Sequence, residues 1–374
     1  MVCAMESPPP LSAEACYRAV VARDARFDGR FHTCVKTTGI YCRPVCPART
    51  PLFANVEFVA SAAEAEARGY RPCLRCRPET APDYSAWRGE VATGGAWRGT
   101  ANTVSRALQM IDEGALDEGG LDRLCDRLGV GERHLRRLFR AHLGASPVAV
   151  AQTRRVRLAK ALLHQTRLPM AEVAMASGFG SVRRFNETFQ ALYDRPPSAL
   201  RRGVGEEAGA GVELSLSWRP PYELDALMAA LAERGDMVEG GIWSRALDRE
   251  ADGTTGRVEA RAGRGNALRV RVEADRLDAL PRVLARVRRV FDLGHDPEAL
   301  MRDLGKDPVL GPRVAARPGL RLPGSWVLDD GAVAPADRWL DPDTEALAEN
   351  WRPWRAYAAL YLTMDEETDH AKCA

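Results

Sequence analysis

Three features of this 374-residue sequence predict a multidomain α+β chain. Two close cysteine pairs stand in the first eighty residues, two arginine-rich helix-turn-helix patterns follow, and from Val212 the text turns to strands alternating with helices. The expected parts are a small zinc-bound α/β domain at 9–80, a linker at 81–99, an all-α double helix-turn-helix domain at 100–203, an α+β domain at 212–327, and an incomplete helical part at 328–364.

Composition narrows the function. No apolar run approaches the roughly 20 residues of a membrane span. The opening "MVCAMESPPPLSAEAC" lacks the basic flank and apolar core of a signal peptide. Nine cysteines in a chain of this length do not make a disulfide scaffold, so a reducing cytoplasm is expected. The net charge of +2 hides an asymmetry, because Leu121 to Arg202 carries 16 Lys/Arg against 6 Asp/Glu, a local +10. A basic block of that size points to nucleic acid.

The cysteine pairs are Cys42-x3-Cys46, in "TTGIYCRPVC", and Cys73-x2-Cys76, in "RPCLRCRP", with 26 residues between them. Two short pairs on turn-forming text can close tetrahedrally on zinc, with Zn–S bonds of about 2.3 Å. A zinc-bound thiol is deprotonated and nucleophilic at neutral pH. Spacing alone favours a structural zinc clip over a reactive centre. Lys36, Arg43, Arg49, Arg71, Arg75 and Arg77 surround the pairs as candidate phosphate contacts, and Cys34 reads as core filling.

The wording "TTGIYCRPVCPART…NVEFVASAAEAEARGYRPCLRCRP" resembles the N-terminal zinc domain of the Ada family of alkylation-response proteins, over residues 9–80. The resemblance implies that Cys42, Cys46, Cys73 and Cys76 bind zinc. It also implies that Cys42 irreversibly accepts a methyl group from a DNA methylphosphotriester, which makes the protein a single-turnover methyltransferase. Methylation removes one negative charge from a cluster facing polyanionic DNA and should tighten binding. An alkylation-damage sensor that activates transcription in the adaptive response follows. Its partners would be double-stranded DNA, as methylated backbone and as promoter, and RNA polymerase.

Residues 81–99 contain "AWRG" twice and read as a linker. "TVSRALQMIDEG" then opens the helical part. "LDRLCDRLGVGERHLRRLFRAHLG" turns near Gly129, and a long helix starts at the Ser146-Pro147 cap. "MAEVAMASGFGSVRRFNETFQALYDRPPSALR" repeats the layout with its turn near Gly178. Two such units one long helix apart resemble the AraC-family DNA-binding domain, over about residues 100–202. Base-reading candidates are Arg133, His134 and Arg137 in the first unit and Ser181, Arg183, Arg184 and Asn186 in the second. Arg43 and Arg71 are the DNA-binding candidates in the zinc domain, as phosphate contacts, while Leu138, Phe185 and Phe189 read as core.

From Val212, "VELSLSWRPPYELDALMAALAERG", strands such as "GRVEARAG" and "ALRVRVEA", and the helix "LPRVLARVRRVFDL" suggest a small α+β sandwich. With "DPVLGPRVAARPGLRLPGSW" they resemble the N-terminal domain of AlkA-type 3-methyladenine DNA glycosylases, and "ENWRPWRAYAALYL" resembles the last helix of those enzymes. After Trp326 the text passes within a few residues to "VLDDGAVAPADRWL", which resembles the segment around the catalytic aspartate and places it on Asp337. The helix-hairpin-helix that normally lies between has no counterpart, nor has the Pro-Cys-His-Arg of a guanine-alkyl acceptor. The leading expectation is therefore a methyl-accepting sensor. Its rivals are a targeted 3-methyladenine glycosylase and a plain regulator with inert zinc.

Overall fold

The computed structural model describes residues 11–82, 100–201, 211–247, 253–326, 351 and 354–370. In the N-terminal domain, α1 (Ala13–Ala22) begins at Ser12, whose hydroxyl accepts the Ala15 amide at 3.2 Å. It is followed by β1 (His32–Val35), β2 (Ile40–Cys42), β3 (Val56–Val59), α2 (Ala62–Ala67) and the two-residue β4 (Arg71–Pro72). The sheet order is β3-β1-β2-β4, antiparallel except for the β2–β4 pair. Gly39 turns β1 into β2 at φ +64°, where a side chain would be strained. The β2–β4 pairing brings Cys42 beside the Cys73 loop. One core cluster here is only Cys34, Tyr41, Val59, Ala62 and Ala65. A second cluster of Cys16, Ala19, Val20 and Phe31 is equally small, so a bound metal would add a useful cross-link.

The helix-turn-helix domain, or reader, is all helical: α3 (Thr100–Asp112), α4 (Ala115–Glu118), α5 (Leu121–Leu128), α6 (Glu132–Leu143), α7 (Pro147–Gln165), α8 (Met170–Ala176) and α9 (Val182–Tyr193). Gly129, at φ +67°, ends α5, and Gly178, at φ +84°, follows α8, so each unit turns at a left-handed glycine. Ser146 caps α7 by accepting the Ala149 amide at 3.2 Å, with Pro147 in the first turn. Leu138, Phe185 and Phe189 are buried, as their apolar spacing requires.

The third domain contains β5 (Val212–Ser217), α10 (Leu224–Glu233), β6 (Met237–Glu239), β7 (Ile242–Ala246), β8 (Gly256–Ala262), β9 (Ala267–Ala274), α11 (Leu280–Val290), α12 (Pro297–Leu304), α13 (Leu310–Ala316) and α14 (Arg355–His370). Its five strands run β5-β9-β8-β7-β6, all antiparallel. Alternate residues Leu214, Val258, Ala260, Leu268, Val270 and Val272 face α10 and α11 in a core that continues into α7, α8 and α9. Trp354, Tyr357 and Tyr361 of α14 pack on α12 and α13. Asp337 and most of the 81–99 linker, including both "AWRG" repeats, lie outside the described residues.

One face of α7 carries the N-terminal domain. Thr153, Arg157, Lys160 and His164 recur at steps of four, three and four, so they form one stripe. Thr153 Oγ1 donates to Glu66 Oε2 at 2.6 Å and Arg157 Nη2 donates to the Ala81 carbonyl at 3.2 Å. Lys160 Nζ lies 2.8 Å from Glu79 Oε2, with both side chains at most 2% exposed. The third domain also holds the reader, through Arg289 to Glu113 at 2.7 Å and through the Ser215 amide to Gln165 at 2.9 Å.

Candidate metal centre and nucleic-acid interface

Cys42 closes β2, Cys46 follows in a turn whose amide bonds back to the Arg43 carbonyl, and Cys73 and Cys76 flank the turn after β4. Their four sulfurs lie within 4.8 Å of one another. Tetrahedral zinc with 2.3 Å bonds needs sulfurs about 3.8 Å apart, so the set fits that ion with little movement. Without a cation the thiols compete for protons. Hydrogen bonding to Cys46, Cys73 and Cys76 pushes Cys42 far up, while hydrogen bonding with Cys42 pulls Cys73 far down and Cys46 to about 7. A divalent ion held by the four cysteines would resolve this competition by stabilising all four as thiolates.

The sulfurs are not equivalent. Cys73 and Cys76 are each 7% exposed, whereas Cys42 and Cys46 are half-buried. The Arg43 amide donates to the Cys76 sulfur at 3.3 Å and the Arg75 amide to the Cys73 sulfur at 3.4 Å. Among the described residues no amide is bonded to the Cys42 sulfur. Cys34 is fully buried, and burial followed by the nearby Glu57 pushes it up to about 12, so it is an inert core residue.

The surrounding cations divide into two groups. Lys36, Arg49, Arg71 and Arg75 are exposed. Arg77 turns inward onto Glu79 at 3.1 Å. Arg43 departs from the expectation of a phosphate contact. Its guanidinium is paired with Asp28 and also donates to the Cys76 carbonyl at 3.1 Å and to Thr80 Oγ1 at 2.5 Å. A side chain committed to three internal acceptors has no free edge for DNA, so Arg43 belongs to the wall of the metal site.

In the reader, Arg133 and Arg137 on α6 and Arg183, Arg184 and Asn186 on α9 are exposed. His134 is half-buried, with Nδ1 3.1 Å from Arg137 Nη2, so the two act as a pair. Arg183 is bound to Glu187 at 2.8 Å, but both are widely exposed and a phosphate can displace such a pair. Ser181 is the N-cap of α9, accepting the Arg184 amide at 3.2 Å, which leaves its hydroxyl proton free to donate outward.

Three families match along the chain: the metal binding domain of Ada at residues 15–79, a helix-turn-helix domain at 124–203, and the AlkA N-terminal domain at 213–327. The chain is an Ada-type metal-binding domain and a helix-turn-helix domain fused to an AlkA N-terminal domain. A Mycobacterium tuberculosis protein described as a probable bifunctional transcriptional activator/DNA repair enzyme AlkA is 38% identical over 321 residues, 83% of this chain. This chain spans 62% of the length of that relative. The Escherichia coli bifunctional transcriptional activator/DNA repair enzyme Ada is 37% identical over 147 residues, 39% of this chain and 37% of Ada. The solved DNA methyl phosphotriester repair domain of E. coli Ada is 49% identical across 20% of this chain and 80% of its own, with a TM-score of 0.18.

The four-cysteine cluster therefore lies within the Ada-type domain, and the basic helices within the helix-turn-helix domain. No described helix is long and apolar enough to cross a membrane. Sequence reasoning missed the residues that join the domains, above all Asp28, Glu66, Glu79, Thr153 and Lys160. The stripe on α7 was the available signal, because Lys160 and His164 stand there among apolar neighbours.

Proposed function

We propose that the chain is a single-use alkylation sensor. In this reading Cys42 takes a methyl group from a methylphosphotriester in DNA, and the methylated protein binds promoter DNA as an activator. The observation that carries it is the four-cysteine cluster within the Ada-type match, in which Cys42 is only half-buried while Cys73 and Cys76 are buried and their sulfurs accept amide hydrogen bonds. An N–H donor draws charge from a thiolate and blunts it, so Cys42 and Cys46, whose sulfurs accept none among the described residues, are the better nucleophiles, and the Ada resemblance selects Cys42.

Zinc, the ion that best suits four thiolates, would keep the Cys42 sulfur deprotonated at neutral pH. The Cys42 sulfur then attacks the methyl carbon in line with the ester oxygen. The new S–C bond forms as the C–O bond breaks, and that electron pair leaves on the phosphate oxygen as an ordinary phosphodiester. No proton moves. The product thioether has no leaving group that would return the thiol, so each molecule acts once. Arg71 and Arg75, exposed beside the pairs, would hold flanking phosphates.

The charge change supplies the switch. Four thiolates on a divalent ion carry a net −2, and one methylation leaves −1, which weakens repulsion from DNA. RNA polymerase and a cytoplasmic setting belong to the same reading. The test is intact-mass and peptide analysis after exposure to methylphosphotriester DNA. One added methyl per chain on Cys42 is expected, with tighter promoter binding at fixed salt. A methyl found on Cys46 or Cys34, or none at all, refutes the reading.

A further inference from the structure

Arg219, in the loop after β5 of the AlkA-type domain, is fully buried. Its guanidinium crosses the domain boundary. Nε donates to the Asp28 carbonyl of the Ada-type domain at 2.9 Å, and Nη1 donates to the Gly294 and His295 carbonyls of its own domain at 2.9 and 3.1 Å. A buried cation is tolerated only where such acceptors are fixed around it, so the guanidinium ties the two domains at one turn.

That turn also contacts the metal site. The Asp28 carboxylate, 6% exposed, grips Arg43 through Nε to Oδ1 at 2.8 Å and a second N–H on Oδ2. Arg43 follows Cys42 in sequence, holds the Cys76 carbonyl through its side chain, and donates its amide to the Cys76 sulfur. There is no slack beside Asp28. Gly29 has φ +75°, and a Cβ there would sit 2.0 Å from the Pro82 carbonyl oxygen and 3.2 Å from Arg219 Nη2. Arg30 clamps the same turn from its other side, 3.1 Å from Asp296 of α12's cap, with side chains 8% and 1% exposed.

We propose that the AlkA-type domain is a working part of the metal unit, in which Arg219 is a positioning residue that fixes Arg43, and through it the Cys76 ligand, by way of the Asp28 turn. The expected effect on methyl transfer rests on the reading of Cys42 as acceptor. The effect on metal retention does not.

The test uses the full chain loaded with zinc and, separately, with cobalt(II) as a spectroscopic probe of thiolate geometry. Arg219→Met removes the clamp, Arg219→Lys keeps one charged donor, and Glu298→Ala breaks the exposed Arg26–Glu298 pair at 2.8 Å without touching Asp28. R219M should release zinc to a chelator about tenfold faster, the scale of one charged hydrogen bond lost, and should shift the thiolate-to-cobalt absorption. R219K should lie between R219M and the parent chain, and E298A should match the parent. Zinc release within twofold of the parent and an unchanged cobalt spectrum in folded R219M overturn the proposal. Equal losses in R219M and E298A also overturn it, because they would mark general loosening of the interface. If circular dichroism shows that R219M does not fold, R219K decides alone, and parent-like release and spectrum refute the clamp. Methyl acceptance by the parent chain is measured separately, so a failure of the acceptor reading leaves this comparison standing.

Discussion

Replacing Lys160 by methionine probes the joint between the Ada-type domain and α7. The ammonium lies 2.8 Å from Glu79 Oε2 and 5.1 Å from the Tyr193 ring centroid, with Arg77 and His164 as the other groups facing Glu79. Methionine keeps the stem but strands a carboxylate. Stranding one partner of a buried pair costs about 3–5 kcal/mol, and the Arg77 contact that remains lowers this to about 2–4 kcal/mol. Thermal unfolding of the full chain should then start roughly 5–10 °C lower near pH 7.

A pH signature separates this from simple packing loss. Burial by itself would raise the Glu79 carboxyl, but Lys160 foremost, with Arg77, holds it below its ordinary value. A depressed folded pKa adds stability above the unfolded pKa and loses it as the pH falls through the folded one. In K160M burial prevails, and the folded pKa should rise above the unfolded value. The variant then recovers relative stability as pH falls toward the carboxylate range, so its deficit should shrink between about pH 7 and pH 5. A drop in unfolding temperature below about 2 °C, or a deficit equal at both pH values, would refute the reasoning.

Three further outcomes are expected. Metal analysis should find one zinc per chain, lost in Cys73→Ala, and chelation should unfold the Ada-type domain while the helical signal of the reader persists. Full zinc occupancy in that variant would count against the four-cysteine site. Arg137→Ala and Arg184→Ala should each weaken promoter binding by about 1–3 kcal/mol if they read bases, with relaxed specificity at one position, whereas a uniform loss across sequences and a shallower salt slope would mark them as phosphate contacts. The purified chain should release no 3-methyladenine from alkylated DNA, because flipping a base costs a few kcal/mol and the sequence has no helix-hairpin-helix to offset it. Release abolished by Asp337→Asn would restore the glycosylase reading.

The legible parts were those with local signatures. Gly129 and Gly178 mark the two turns because only glycine enters that backbone region cheaply, and Ser146-Pro147 announces α7 through its cap. "GRVEARAG" and "ALRVRVEA" alternate with period two and are paired strands. The β6–β7 hairpin was overlooked although Gly240-Gly241 is a strong turn signal, because Met237–Glu239 is too short to show periodicity. Arg43 looked like surface charge beside Cys42. Its partner Asp28 is fourteen residues before Cys42 in the chain, and such pairings are made by tertiary packing that no local pattern records.

The stripe on α7 has a consequence for how the chain addresses DNA. This helix of 19 residues, about 28 Å long, joins the two reading units end to end and bears the Ada-type domain on its flank. Cys42 and the two candidate reading helices thus hang from one stiff ruler, and in the proposed function the spacing between a repaired phosphate and the bases read would be set by protein geometry instead of by a tether. One residue inserted within α7 would turn everything beyond it by about 100°. If the helices read DNA as proposed, the second would then fall out of phase with the groove that the first enters, although every candidate contact side chain would still be present.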